Sequence, residues 1–201
     1  MYINAFSDRL PDPDVDGIVV LTGSAHSITK DFPWLPGIED FTRKRCMSGL
    51  PLFGVCYGHQ LIARALLGKE AVGRAAVPEV GFAPIEIVKR HPIFDGLPNP
   101  FLVMSSHYDE VRTLPGGFEC LAKSNNCAIQ AMAHRDRPVA GVQFHPEFDS
   151  AKARQSVSDE REKLAALGLD PEALLAGIPD ERMGADSILR NFARFAAGIL
   201  S

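Results

Sequence analysis

The stretch Pro51 to Gln60, PLFGVCYGHQ, constrains this chain more than any other. Leu52, Phe53, Gly54 and Val55 form an apolar run without alternation, as expected of a parallel strand covered on both faces. After it, Leu61, Ile62, Ala65 and Leu66 recur at helical spacing, predicting a helix that ends near Gly68. Cys56 therefore falls where a buried strand stops and a helix starts. Gly54 and Gly58, two positions either side, complete a G-x-C-x-G nucleophile elbow, because a side chain at either position would collide in so sharp a turn.

A thiol at that place can do chemistry. Its ordinary pKa is ~8.5, and the positive end of a helix together with a nearby imidazole can lower it. The backbone N–H of Tyr57, the first helical residue, precedes any intrahelical acceptor and points toward the sulfur, which makes it half of an oxyanion hole. A buried structural cysteine is the common alternative. It would leave the conformational cost of the elbow without a purpose.

The remaining sequence narrows the setting. A chain of 201 residues suits a single domain, taken here as residues 1–201. A net charge of −4 gives no reason to expect nucleic acid or a membrane surface as partner. No apolar run approaches the ~18 residues of a membrane span, and Met1 to Leu10 lacks signal-peptide character, so the cytoplasm is the expected compartment. Cys46, Cys56, Cys120 and Cys127 show no paired metal or disulfide spacing. Neither a metal nor a cofactor is expected.

Two further stretches bear on the elbow. Val15 to Leu21 reads as a second buried strand, ending in Thr22, Gly23 and Ser24. Open α/β sheets place ligands at such carboxyl ends, so Gly23 is a candidate second oxyanion donor. Val139 to Phe144 reads as a strand with His145 at its end, followed by Pro146 and Glu147. Residues two apart in extended chain point the same way, so Glu147 can hold the second nitrogen of the His145 imidazole. That is the base a thiol nucleophile needs; two ligands without a third make a poor metal site.

Elsewhere, Ser27 to Gly37 is expected to be an aromatic, Pro-rich loop before a helix over 38–48, with Trp34 either at an entrance or stapling the loop. Glu79 to Val88, Phe101 to His107, Phe118 to Lys123 and Ile129 to Ala133 are expected as short strands. The charged stretch from Ser150 to Lys163 reads as a solvated helix face with Val157 and Leu164 inward. Ile188, Leu189, Phe192, Phe195, Ala196 and Ile199 put one apolar stripe on a final helix. The order predicts an α/β core with an antiparallel side extension. His59 and His107 are expected to be structural or pocket-lining, and His26, His91 and His134 exposed.

GVCYGHQ followed by QFHPE, with LTGS and MSSHYDEV (Met104 to Val111), resembles the class I, triad-type glutamine amidotransferases, in particular the GMP-synthase-like stand-alone members. The resemblance implies an open, mostly parallel sheet flanked by helices, flavodoxin-like, with a small antiparallel extension. It implies Cys56 as nucleophile, His145 as base, Glu147 as orienter, and the N–H groups of Gly23 and Tyr57 as the oxyanion hole. It places Gln60, Ser106 and Tyr108 near the amino-acid end of glutamine. Family members carry a further strand and helix before the segment that starts here at Asp14. Either the chain begins inside a longer protein or one sheet edge is exposed.

The implied reaction is hydrolysis of the glutamine side-chain amide, with ammonia passed to a synthase on a separate protein. A stand-alone γ-glutamyl peptide or amide hydrolase would use the same residues. A regulatory or binding subunit without catalysis would be expected to lack a triad member, and none is lacking.

Overall fold

The computed structural model describes residues 3–5, 9–180 and 184–200. The elements run β1 (Val19–Leu21), α1 (Leu35–Ser48), β2 (Leu52–Val55), α2 (Tyr57–Leu67), β3 (Val72–Ile87), β4 (Phe101–Val111), β5 (Phe118–Lys123), β6 (Ala131–His134), β7 (Val139–Val142), α3 (Ser150–Asp159), α4 (Arg161–Ala166), α5 (Pro171–Ala176) and α6 (Ser187–Leu200). The strands form one seven-stranded sheet in the order β1-β2-β7-β6-β5-β3-β4.

β1, β2 and β7 are parallel neighbours, and every later link is antiparallel. The α/β core with an antiparallel extension is therefore what the chain forms, and that extension reaches four strands. Alternation along the central strands divides the core in two. Phe53, Val55, Ala140 and Val142 meet Ile188, Phe192 and Ala196 of α6, so the predicted stripe of the last helix is buried on the sheet; its final position, Ile199, lies outside the described side chains. Leu52, Met132 and Val139 pack on the other face with Ile38 of α1 and Leu61 and Ile62 of α2. A third cluster joins Val157 and Leu164 to Met104 of β4 and to Ile178, which turns both residues inward as expected. No described helix is long and apolar enough to cross a membrane.

Several predicted boundaries move, each for a reason outside its own segment. α1 starts at Leu35 rather than Ile38, because Pro36 serves as an opening helical residue where no N–H partner is needed. The strand expected from Val15 is only three residues long. Its earlier carbonyls are claimed by Arg45, a side chain with no exposure to solvent. The guanidinium donates to the carbonyls of Pro13 (2.8 Å), Val15 (2.6 Å) and Gly17, and to Pro51 ahead of β2 (3.4 Å). β3 begins seven residues before the predicted Glu79, because Val72 to Arg74 pair with the far end of β4 across a register shift between Arg74 and Glu79. β6 runs to His134, and β7 stops at Val142.

β1 lies at the sheet edge, and no described strand pairs with its outer side. Ile18 and Val20 are 42% and 46% exposed there. Beside this edge is a cavity of about 500 Å³ lined by Leu10, Val15, Phe41, Tyr57 and Trp34 among others. Trp34 stacks on Phe32 with ring centroids 5.2 Å apart and lies 6.4 Å from the Tyr57 ring, so it staples its loop while bounding the cavity.

Arg45 thus holds the chain that enters β1. Arg45→Met is expected to lower stability by about 2–4 kcal/mol, since several backbone acceptors lose their donor together. Arg45→Lys should recover only part of it, because an ammonium cannot fork. Denaturant unfolding checks this, and an unchanged midpoint for Arg45→Met would show that the clamp is idle.

Candidate active site

β2 delivers the chain to Cys56, which adopts φ 51° and ψ −103°. Among the described residues it is the non-glycine with positive φ. This lies outside the ordinary left-handed well, a strain of about 1–3 kcal/mol. Two backbone hydrogen bonds hold it: Cys56 N–H donates to Val142 of β7 at 2.8 Å, and Gln60 N–H donates to Cys56 at 3.1 Å. The second opens α2, so the Tyr57 N–H lies ahead of the first intrahelical bond. The two elbow glycines are sterically required. A Cβ on Gly54 would sit 2.5 Å from the Gly58 carbonyl carbon, and one on Gly58 would collide with the Leu21 carbonyl of β1.

His145 arrives from the opposite side. Beyond β7 its N–H donates to the Met104 carbonyl of β4 at 2.8 Å, a bridge that fixes its backbone. Its Nδ1 lies 2.8 Å from Oε1 of Glu147, and its ring is 4.7 Å from that of Phe148. Burial disfavours the charged imidazole, but the neighbouring Cys56 and Glu147 outweigh it, and the His145 pKa is pushed up to about 10. The turn after β1 closes the third side. A Cβ on Gly23 would stand 3.1 Å from Cε1 of His145 and 3.7 Å from Cβ of Cys56. Sulfur, imidazole, carboxylate and glycine turn thus meet in one place although separate segments supply them.

Of the residues placed by resemblance at the substrate's far end, Ser106 touches the sulfur directly. The Ser106 carbonyl accepts from the Cys56 thiol at 3.8 Å. Two residues further along β4, Tyr108 has Lys163 Nζ 4.8 Å and the Arg74 guanidinium 5.8 Å from its ring centroid. Gln60 Nε2 is engaged by the protein, donating to the Asp109 carbonyl at 2.7 Å and to Oε1 of Gln143 at 3.0 Å. Gln143 in turn puts Nε2 3.7 Å from the Cys56 sulfur.

Sequence reading passed over Gln143, although it stands inside the QFHPE motif. Arg74 also carried no signal, while Lys163 lies on the solvated face where it was expected, paired with Glu160 at 2.7 Å. Asp109 was unmarked too; its carboxylate gathers Ser27 Oγ (2.6 Å), Ile28 N–H (3.2 Å) and Arg74 (3.2 Å), which anchors the 27–34 loop.

The other titratable groups are structural. Burial lowers the His59 pKa to about 4, and its Nε2 contacts the Ile129 carbonyl at 3.2 Å. His107 is clamped between Glu79 Oε2 (2.9 Å) and the Asp109 carbonyl (3.1 Å). His91 and His134 are half-buried rather than exposed, with rings against Phe195 and Phe118. Burial pushes the thiols of Cys46 and Cys127 up to about 12, leaving them inert.

With this geometry in place, likeness to known proteins takes on meaning. The family model for glutamine amidotransferase class-I matches residues 4–162. A glutamine-hydrolyzing GMP synthase subunit of Thermococcus kodakarensis is 49% identical over 98 residues, covering 49% of this chain and 51% of that one. The corresponding subunit of Archaeoglobus fulgidus is 42% identical over 135 residues, covering 67% of each. The chain spans about half the length of the curated relatives it matches over 98 residues. Among solved structures, a putative GMP synthase subunit from Thermoplasma acidophilum superposes with a TM-score of 0.64 at 27% identity, covering 89% of this chain and 72% of that one. A glutamine amidotransferase from Methylobacillus flagellatus shares the fold, with a TM-score of 0.78 at 23% identity over 97% of this chain and 80% of that one. With the family model spanning most of its length, this chain belongs to the class-I glutamine amidotransferases.

Proposed function

We propose that this chain hydrolyses the side-chain amide of glutamine to glutamate and ammonia through a thioester on Cys56, and that the ammonia passes to a synthase on another protein. The observation that carries the reading is the His145 imidazole, bound to Glu147 at 2.8 Å and gathered with a strained elbow cysteine around the Gly23 turn. Relatives named as one subunit of a glutamine-hydrolyzing GMP synthase support the division of labour, since a subunit implies a partner.

The steps follow from the proton inventory. With His145 holding its proton above neutral pH, the Cys56 thiolate attacks the amide carbon, and the new oxyanion is met by the N–H groups of Gly23 and Tyr57. Each such donor contributes about 3 kcal/mol to lowering the barrier. His145 gives its proton to the departing nitrogen, which leaves as ammonia. The neutral imidazole then takes a proton from water as that water attacks the thioester. Collapse of the second oxyanion releases glutamate and restores the thiolate beside the imidazolium. Glu147 keeps Nδ1 protonated throughout, so Nε2 faces the chemistry.

The far end of the substrate fits the β4 side of the site. Two strand residues advance about 7 Å from Ser106 to Tyr108, comparable with the roughly 5 Å from the amide carbon to the α-carboxylate of extended glutamine. Arg74 and Lys163 are the cations beside Tyr108 there, paired with Asp109 at 3.2 Å and with Glu160 at 2.7 Å, and a substrate carboxylate would share them with those partners. This end is common to glutamine and γ-glutamyl compounds, so a screen of glutamine against γ-glutamyl dipeptides separates the glutaminase from the wider hydrolase.

Cys56→Ala is expected to fold and to release no ammonia from glutamine in a coupled dehydrogenase assay; undiminished turnover would rule out the assignment. Glu147→Gln should lower the His145 titration midpoint seen by NMR toward the ordinary ~6.5. The pairing stabilises the fold fully below that value, and its contribution fades as pH climbs through about 10, so thermal stability should decline over that alkaline range. Lys163→Ala should raise KM for glutamine about fivefold with kcat held, the size of one partly solvated charge contact. An unchanged KM would remove Lys163 from the substrate's surroundings.

A further inference from the structure

The chain of amides behind the sulfur has a direction that its chemistry fixes. The Asp109 carbonyl oxygen can only accept, so the Gln60 atom 2.7 Å from it is the amide nitrogen. The second hydrogen of that nitrogen lies toward a Gln143 atom 3.0 Å away, which must therefore be the oxygen, since two donors cannot face each other. The end of Gln143 left over is its NH2 group, and it stands 3.7 Å from Cys56 Sγ.

The anchor of this series is itself held. The Asp109 carbonyl takes a second contact from His107 at 3.1 Å, and the other His107 nitrogen meets Glu79 at 2.9 Å. Glu79 also accepts from Ser124 Oγ at 2.6 Å and from Gln130. Gln143 and His107 are almost wholly buried, at 0% and 2% exposure, and Gln60 at 3%. Solvent therefore cannot substitute for a broken link, and a rotated amide would leave buried donors opposed.

Three groups then compete for the sulfur. The Ser106 carbonyl at 3.8 Å favours the neutral thiol, whose hydrogen it accepts. His145 and the Gln143 amide favour the anion. We propose that Gln143 is a third partner of the nucleophile, whose side-chain N–H holds Cys56 as thiolate, and that Gln60 sets which end of that amide faces the sulfur. The inference rests on Cys56 being the nucleophile and gives Gln60 a role that does not require substrate.

The test is the rate of Cys56 alkylation by iodoacetamide from pH 5 to 10, read on the Cys56 peptide by mass spectrometry. No glutamine is involved, so the result is independent of substrate binding. Gln143→Leu is expected to slow alkylation at pH 7 about tenfold, the loss expected of one hydrogen bond to a charged sulfur, and to converge on the native rate at high pH. Gln143→Met, which keeps the length and lacks the donor, should behave alike and stands in if the leucine variant fails to fold. Gln60→Leu, which frees the Gln143 amide to turn, should also slow the reaction at pH 7. Profiles of the Gln143 variants that superimpose on the native one would overturn the inference, because a filling role alone would leave the pH dependence unmoved. Native Cys56 reacting no faster than Cys120 would instead overturn its assignment as nucleophile, and the inference with it.

Discussion

The backbone of Cys56 is the constraint on which the rest depends. A non-glycine residue at φ 51° persists only if its surroundings hold it, and here β7 accepts its N–H while α2 begins on its carbonyl. That requires β2 to sit between β1 and β7 in a parallel arrangement, with α2 crossing close enough that Gly58 lies against Leu21. The buried faces of the sheet supply the energy that keeps the turn from relaxing. Phe53 packs under Phe192 of α6 with centroids 4.8 Å apart, while Leu52 faces the α1 and α2 side.

The same arrangement explains why the remaining groups converge. The Gly23 turn, Cys56 and the segment after β7 all leave the carboxyl ends of three adjacent parallel strands, the place where such sheets leave a crevice. The antiparallel half then contributes β4, which pins His145 through Met104, presents the Ser106 carbonyl to the sulfur and carries Tyr108 outward toward Arg74 and Lys163. One half of the sheet displays the proposed reacting groups, and the other packs against them.

The elbow, the His145–Glu147 pair and the stripe of α6 were legible in the sequence because each is local: two glycines around a cysteine, residues two apart in extended chain, and apolar positions at helical spacing. What stayed hidden depends on distant partners. The strand at Val15 is cut short by Arg45, thirty residues away, taking its carbonyl. The early start of β3 depends on the far end of β4. Lys163 is the solvated charge the sequence suggests, but its reach to the Tyr108 ring of β4 comes only with the fold. Gln143 lay in plain view inside a motif, but its meaning comes from the orientation of Gln60, which no linear pattern records.

The central claim is that Cys56 carries the acyl group during turnover. Acid quenching of the protein mixed with glutamine, followed by peptide mass spectrometry, tests it most directly. The account requires a glutamyl adduct on the Cys56 peptide, hydroxylamine-labile as a thioester must be, and formed on the timescale of ammonia release. Ammonia released with no adduct on Cys56, or with the adduct on another residue, would contradict it.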